Sequence, residues 1–311
     1  MVTRRILSFD APALSGLAWP VFEAAGRQDG PRLCLLAGVH GGEYPAIAAV
    51  RRFMRGLDTD ELRGSILAVP IVSPTSYAAR SAFVVPEDGR NLNRSFPGDP
   101  EGSFTQVLAH HVFTELIAPS DVLIDLHGGD MVEALEPFVL YDDSPQRDRA
   151  HKLARAFGFG YVVCDTTDTL GGTTSAAAAG AGIPAVTAEA GGCGLLADAE
   201  VDRHLRGLTN ALRSLDMLTG EPDPPPAGQR LVERFVWLHC GQTGWWQTET
   251  QAGAEVRGGQ RLGAVLDPFG DELEVITAPE DGAVLFLTTS PAVAADGLLL
   301  GLGGRLRELT S

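Results

Sequence analysis

Short apolar runs alternate with longer amphipathic segments from residue 32 to about residue 218, and this alternation restricts the fold of the 311-residue chain more than any other feature. Residues 32–39 form an apolar run closed by glycine, as a buried strand would be. Residues 65–72 form a second, with Pro70 weakening its interior, and 121–126 a third. Residues 136–141, 160–164 and 183–188 read as further strands. Helical spacing runs over 44–57, where Pro45 suits a first turn, and over 104–117, 147–157 and 198–218. Strands alternating with helices predict a wound α/β domain whose sheet is covered on both faces.

The pattern breaks at Glu221-Pro-Asp-Pro-Pro-Pro-Ala-Gly228, a proline cluster that no helix can continue. Beyond it, short apolar stretches at 235–238, 261–266 and 282–287 are separated by Gly, Pro and Asp turns, an all-β signature. The expected organisation is therefore a catalytic α/β domain over 1–222 and a small β-rich domain over 223–311. With Lys+Arg 24 against Asp+Glu 40 the net charge is −16, which mainly serves solubility. So acidic a chain lacks the electrostatic footprint of a nucleic-acid binder and the polybasic stripe that favours anionic membranes. No apolar run is long enough for a membrane helix, and the residues after Arg4-Arg5 stop at Asp10 and Pro12 without a signal-peptide core. The four cysteines (Cys34, Cys164, Cys193, Cys240) are scattered with no Cys-x-x-Cys pair, so the expectation is a reducing cytoplasmic setting.

Three expected strand ends carry chemistry-bearing side chains beside glycine pairs. His40-Gly-Gly-Glu43 follows the first strong strand, where ligands of open α/β sheets collect. It offers an imidazole and a carboxylate on one tight turn, either for a metal or to cap the following helix. Asp125-Leu-His127-Gly-Gly-Asp130 repeats the arrangement, and two His with one carboxylate leave an open coordination position, as in hydrolytic zinc sites. Asp125 points to the same side of an extended strand as His127, so it either orients that imidazole or faces a turn. Glu189, followed by Ala-Gly-Gly, is placed to act as general base and acid, or as an ordinary turn residue. The remaining histidines (110, 111, 151, 204 and 239) read as surface or packed residues. Between the first two turns lies Pro86-Glu-Asp-Gly-Arg90-Asn91-Leu-Asn93-Arg94-Ser-Phe-Pro-Gly98. Its Asn and Arg side chains suit a substrate carboxylate, which guanidinium binds bidentately.

These residues carry a resemblance. His40-Gly-Gly-Glu43, Asn91-Leu-Asn93-Arg94 with Phe96-Pro-Gly, Asp125-Leu-His127 and Glu189-Ala-Gly-Gly resemble, in order, the succinylglutamate desuccinylase/aspartoacylase family of zinc-carboxypeptidase-like hydrolases. The segments 258–263, 267–270 and 278–284 resemble the β domain of the branch that contains N-acetyl-diaminobutyrate deacetylase. The resemblance implies a zinc-carboxypeptidase-like mixed sheet flanked by helices, with a barrel-sandwich-like lid. It implies one Zn2+ per chain held by His40, Glu43 and His127, with Glu189 as the base toward a metal-activated water. Asn93 and Arg94 would hold the carboxylate of an N-acyl amino acid, a small-molecule substrate, with Arg90 nearby. Family members tend to carry an arginine shortly before the Asp-Gly turn that supports the oxyanion. Here that stretch is Ala82-Phe83-Val84-Val85, leaving Arg80 or Arg90 as substitutes.

The implied activity is zinc-dependent removal of an acyl group from an amino-acid nitrogen. Against it stand a metallocarboxypeptidase acting on a short peptide and a non-catalytic binding protein. The β domain also resembles biotinyl/lipoyl-like barrels, but a carrier needs a lysine there and the chain's one lysine, Lys152, lies outside it. The two arginines at 90 and 94 in an acidic chain suit a mixed-charge substrate such as a diamino acid. Neither the acyl group nor the state of homo-oligomerisation follows from the sequence.

Overall fold

The computed structural model describes residues 1–165 and 171–309. In chain order the strands are β1 Thr3–Leu7, β2 Trp19–Ala25, β3 Gln28–Ala37, β4 Arg63–Val69, β5 Val122–His127, β6 Glu133–Leu135, β7 Phe138–Asp142, β8 Tyr161–Asp165 and β9 Ala185–Glu189. They continue as β10 Arg230–His239, β11 Gly244–Thr248, β12 Glu255–Val256, β13 Arg261–Leu266, β14 Glu272–Thr277, β15 Gly282–Thr288, β16 Ala292–Val293 and β17 Leu298–Glu308. The α-helices are α1 Tyr44–Gly56, α2 Pro74–Ala79, α3 Phe104–Val112, α4 Arg147–Phe157, α5 Thr174–Gly180 and α6 Asp198–Ser214.

A mixed sheet runs in the order β1-β2-β4-β3-β5-β9-β7-β8-β10-β17-β15-β12, with β6 pairing β15. At its heart β4, β3, β5 and β9 are parallel, so their carboxyl ends lie along one edge. Their near-continuous apolar sequences follow from burial on both faces. Alternate residues separate accordingly. Leu33, Leu35 and Ile124 pack on one face with apolar residues of α1, α4 and α6, while Cys34, Leu36 and Leu123 pack on the other with those of α3. Helix α1 buries Ala46, Ile47, Ala49, Val50, Phe53 and Met54, the stripe expected of a helix laid on a sheet.

The strands and helices read from the sequence between residues 32 and 218 are all present, with shifted ends. Strand β4 stops at Val69 because Pro70 has no N–H for the ladder. The α-helical part of 104–117 ends at Val112, and Phe113–Ile117 continues it as a wider π turn. Strands β1, β2 and β6 and helices α2 and α5 are additional to that reading. After the proline cluster the chain turns to β-structure, including a separate sheet in the order β14-β13-β11-β16. The large sheet nevertheless continues across the cluster, since β10 pairs parallel with β8 over Arg230–Val232. Phe138, Leu140 and Val163 from before the cluster pack with Val232, Ala283 and Leu285 from after it.

Candidate metal centre and its cavity

Three strand ends supply the site. His40 lies three residues beyond β3, His127 is the last residue of β5, and Glu189 the last of β9. His127 and Glu189 are register partners, so both side chains stand on one face of the parallel pair. Glu43 occupies the position before the first turn of α1 but makes no capping hydrogen bond with its side chain. The carboxylate turns instead toward the two imidazoles. The turn that carries it is tight: a Cβ on Gly41 would lie 2.2 Å from the backbone nitrogen of Tyr77, so glycine is required there.

His40 Nδ1 is 2.7 Å from Glu43 Oε1, and His127 Nδ1 is 3.0 Å from Glu43 Oε2. These three side chains offer ligand atoms within 4.8 Å of one another. The opposite ring nitrogens are already engaged. His127 Nε2 lies 2.9 Å from Asp125 Oδ2, and His40 Nε2 lies 3.1 Å from Asn91 Oδ1. Asn91 Oδ1 also accepts from the backbone N–H of Asn93 at 2.8 Å, so it is an acceptor and His40 Nε2 must donate. With both Nε2–H groups committed, neutral imidazoles aim bare Nδ1 lone pairs at carboxylate oxygens. Glu43 Oε2 is buried without a hydrogen bond. Acceptors converging on acceptors are repulsive unless protons or a cation lie among them, so this donor set fits a metal ion. Two His and one carboxylate are also a usual zinc complement.

The ionisation of the cluster follows the same logic. Burial favours neutral imidazoles, but Glu43 raises His40, and Asp125 with Glu43 raise His127 well above the ordinary histidine range. Burial would raise Glu43, yet His127 and His40 hold it at about 2. Burial pushes Glu189 up to about 8 against the pull of His127 and His40. It pushes Glu133, another residue facing the site, to about 7.

The centre opens on a cavity of about 560 Å3 lined by His40, Glu43, His127, Glu189, Asn93 and Arg94 at its polar end. Asn93 is buried, and its Oδ1 accepts from the backbone N–H of Thr174 at 3.0 Å, tying its loop to the start of α5. Arg94 donates to the carbonyl of Asn93 at 2.7 Å and senses the carboxylates of Glu189, Asp165 and Glu133. Arg90 does not join them. Its N–H donates to Asp88 Oδ1 and its carbonyl accepts from Val85 in a tight turn that leaves the side chain in solvent, off the cavity wall. Arg80 is likewise exposed and off the wall. Phe83, from the stretch without an arginine, faces the cavity with its ring centroid 6.5 Å from that of His40.

Several residues bearing on the site were not singled out for it from the sequence. Asn91 lines the cavity, and its Oδ1 holds His40 Nε2, a task the sequence did not single out. Thr174 donates through Oγ1 to Asp125 Oδ2 at 2.5 Å, from 49 residues away. His204 is buried in α6 with Nε2 3.3 Å from the Ala190 carbonyl, and burial lowers it to about 4. It is packed and neutral, as the sequence reading expected of the histidines without glycine turns.

Comparisons with known proteins agree with one another. Residues 29–215 match the family model of the succinylglutamate desuccinylase/aspartoacylase catalytic domain. N-alpha-acetyl-L-2,4-diaminobutyric acid deacetylase of Halomonas elongata is 31% identical over 268 residues, covering 84% of this chain and 78% of that protein. A crystal structure of a succinylglutamate desuccinylase/aspartoacylase from Rhodobacter sphaeroides superposes with a TM-score of 0.83 at 25% identity, covering 99% of this chain and 95% of that one. The product-bound ectoine utilization protein EutE (DoeB) from Ruegeria pomeroyi has the same fold, with a TM-score of 0.84 at 23% identity over 97% of this chain and 95% of that one.

Proposed function

The chain belongs to the succinylglutamate desuccinylase/aspartoacylase family, and from that premise we propose that it hydrolyses the amide bond of N-acylated amino acids, with zinc held by His40, Glu43 and His127. The observation that carries this reading is the convergence of two Nδ1 atoms on one carboxylate while both Nε2–H groups are engaged elsewhere. Three protein ligands leave a position free, and zinc there would supply Lewis acidity toward the amide carbonyl and a water. Glu189, on the cavity wall beside His127, accepts the proton of the attacking water. It returns that proton to the amide nitrogen as the C–N bond breaks, and the second proton of the water passes from the new carboxylic acid to the amine, so a carboxylate and an ammonium group leave. Asn93 and Arg94 bind the carboxylate of the amino-acid part, Arg94 being the one arginine on the wall among the described residues.

The β-rich segment over 223–311 serves as a lid in this reading, since residues of β10, β15 and 292–298 line the same cavity as the metal ligands. A wall supplied by this segment narrows the crevice, which favours a small N-acyl amino acid over a peptide extending through the site. A panel of N-acetyl, N-succinyl and N-formyl amino acids tests the proposal. Hydrolysis is expected from the zinc-loaded protein, is lost with a chelator and returns with added zinc. Turnover indifferent to metal removal, or its absence across the panel, would overturn it.

A further inference from the structure

The cavity is larger and more apolar than an N-acetyl diamino acid requires. Its volume of about 560 Å3 falls in the range of roughly 300–1,000 Å3 typical of sites for drug-sized ligands, whereas such a substrate has about 11 non-hydrogen atoms. The surplus is built from hydrocarbon. In the antiparallel β7–β9 pair Phe138 is the register partner of Glu189 and Leu140 that of Thr187, so both stand on the face of the candidate base. Beyond them Phe235 and Trp237 of β10 and Phe286 of β15 complete a wall. Ring centroids of Phe235 and Trp237 are 4.9 Å apart, Trp237 and Phe286 5.2 Å, and Phe138 and Phe235 6.2 Å. Gly301 of β17 makes room for this floor, because a Cβ there would lie 2.2 Å from the Phe286 ring and 2.7 Å from the Phe235 ring. Phe138, Leu140 and Phe286 are each 5% exposed while Phe235 and Trp237 are half-buried, so those two rings present most of the wall's free surface.

Resting on the deacylase reading of the same site, we propose that the substrate carries a bulky apolar group, aromatic or of roughly six carbons or more, that fills the chamber walled by Phe138, Leu140, Phe235, Trp237 and Phe286. The group belongs either to the acyl part or to the amino-acid side chain, and the two arms of the test separate these sources. One arm compares N-acetyl-, N-butyryl-, N-hexanoyl- and N-phenylacetylglycine. The other compares N-acetyl-2,4-diaminobutyrate, N-acetylalanine, N-acetylleucine and N-acetylphenylalanine. Burial of a methylene increases affinity roughly fourfold, so the better arm should gain on the order of 200-fold in kcat/KM over four added carbons. Trp237→Ala should lower the ratio of bulky to small substrate about tenfold or more.

Binding is read separately from turnover. Hexanoate, phenylacetate, N-hexanoylglycine and N-acetylphenylalanine are titrated into the zinc-loaded protein by tryptophan fluorescence, with Trp237→Phe as the control for the reporting residue. Saturable binding of a bulky ligand without hydrolysis of any substrate would refute the deacylase reading and leave the chamber assignment standing. Hydrolysis that is fastest with N-acetyl-2,4-diaminobutyrate or N-acetylalanine, with no gain in either arm and no saturable binding of the bulky ligands, would overturn the chamber assignment.

Discussion

Asp125 touches no candidate substrate atom, yet its replacement should weaken metal binding measurably. It is fully buried, and its Oδ2 accepts from His127 Nε2 at 2.9 Å and from Thr174 Oγ1. Holding Nε2 as the protonated nitrogen leaves Nδ1 as the lone pair that faces Glu43. In Asp125→Asn a neutral amide oxygen replaces the carboxylate. A hydrogen bond to a charged group contributes about 1.5–3 kcal/mol and a neutral one about 1, so the loss is about 0.5–2 kcal/mol, or roughly 2- to 30-fold in affinity. Asp125→Ala removes the acceptor outright and leaves Thr174 and His127 unpaired, which moves the loss toward 100-fold. Thr174→Val keeps the carboxylate and should cost only a few-fold. Competition against a chromophoric zinc chelator gives the three affinities, and circular dichroism on the metal-free variants checks that each folds. If Asp125→Asn and Asp125→Ala bind zinc within twofold of the parent, the tautomer argument is wrong and with it the assignment of Nδ1 as ligand atom.

Three further outcomes are expected. Glu189→Gln should keep its zinc and lose turnover by about 10²- to 10⁴-fold, read as metal content and kcat on the same preparation; near-parent activity would remove Glu189 from the proton path. Because Glu43 and Asp125 raise the metal-free histidines, both imidazoles retain protons at pH values where ordinary histidines have shed them. Zinc uptake must then expel those protons, so apparent affinity should rise with pH through neutrality, and calorimetry in buffers of different ionisation enthalpy should report proton release; buffer-independent heats would contradict this. Gly301→Ala should destabilise the protein by about 1–3 kcal/mol through overpacking against Phe286 and Phe235, measured by urea unfolding, and an unchanged midpoint would show that the aromatic floor gives way freely.

The candidate ligands were legible in the sequence because each sits at the end of a short apolar run beside a glycine pair, a local pattern that survives without knowledge of the partner strands. His40, Glu43 and His127 therefore appear together in both readings. Arg90 shows where local reasoning stops: residue type and proximity to Arg94 suggested a role, but the direction of its side chain is set by the Val85–Arg90 turn. Asn91 was visible, and its task was not, since the bond to His40 spans 51 residues. The continuity of the sheet across the proline cluster was also illegible. A proline run argues for a break in local structure, whereas the β8–β10 pairing depends on apolar surfaces that meet only after both segments have formed.

The same distinction bears on how the site divides its work. The candidate ligands and Glu189 come from the carboxyl ends of β3, β5 and β9, elements fixed by burial on both sheet faces. The apolar chamber draws Phe138 and Leu140 from β7, but Phe235, Trp237 and Phe286 from strands after the proline cluster. No ring of that wall supports a hydrogen bond of the metal cluster; those run to Asn91, Asp125 and Thr174. Side chains without a shared partner or contact perturb one another little, so substitutions at 235, 237 and 286 should alter which acyl amino acid fits while zinc affinity stays unchanged. Phe138 is the exception. It sits opposite Glu189 in register, where chamber and candidate base share one pair of strands, so its replacement should change the ratio of bulky to small substrate and the rate on every substrate together.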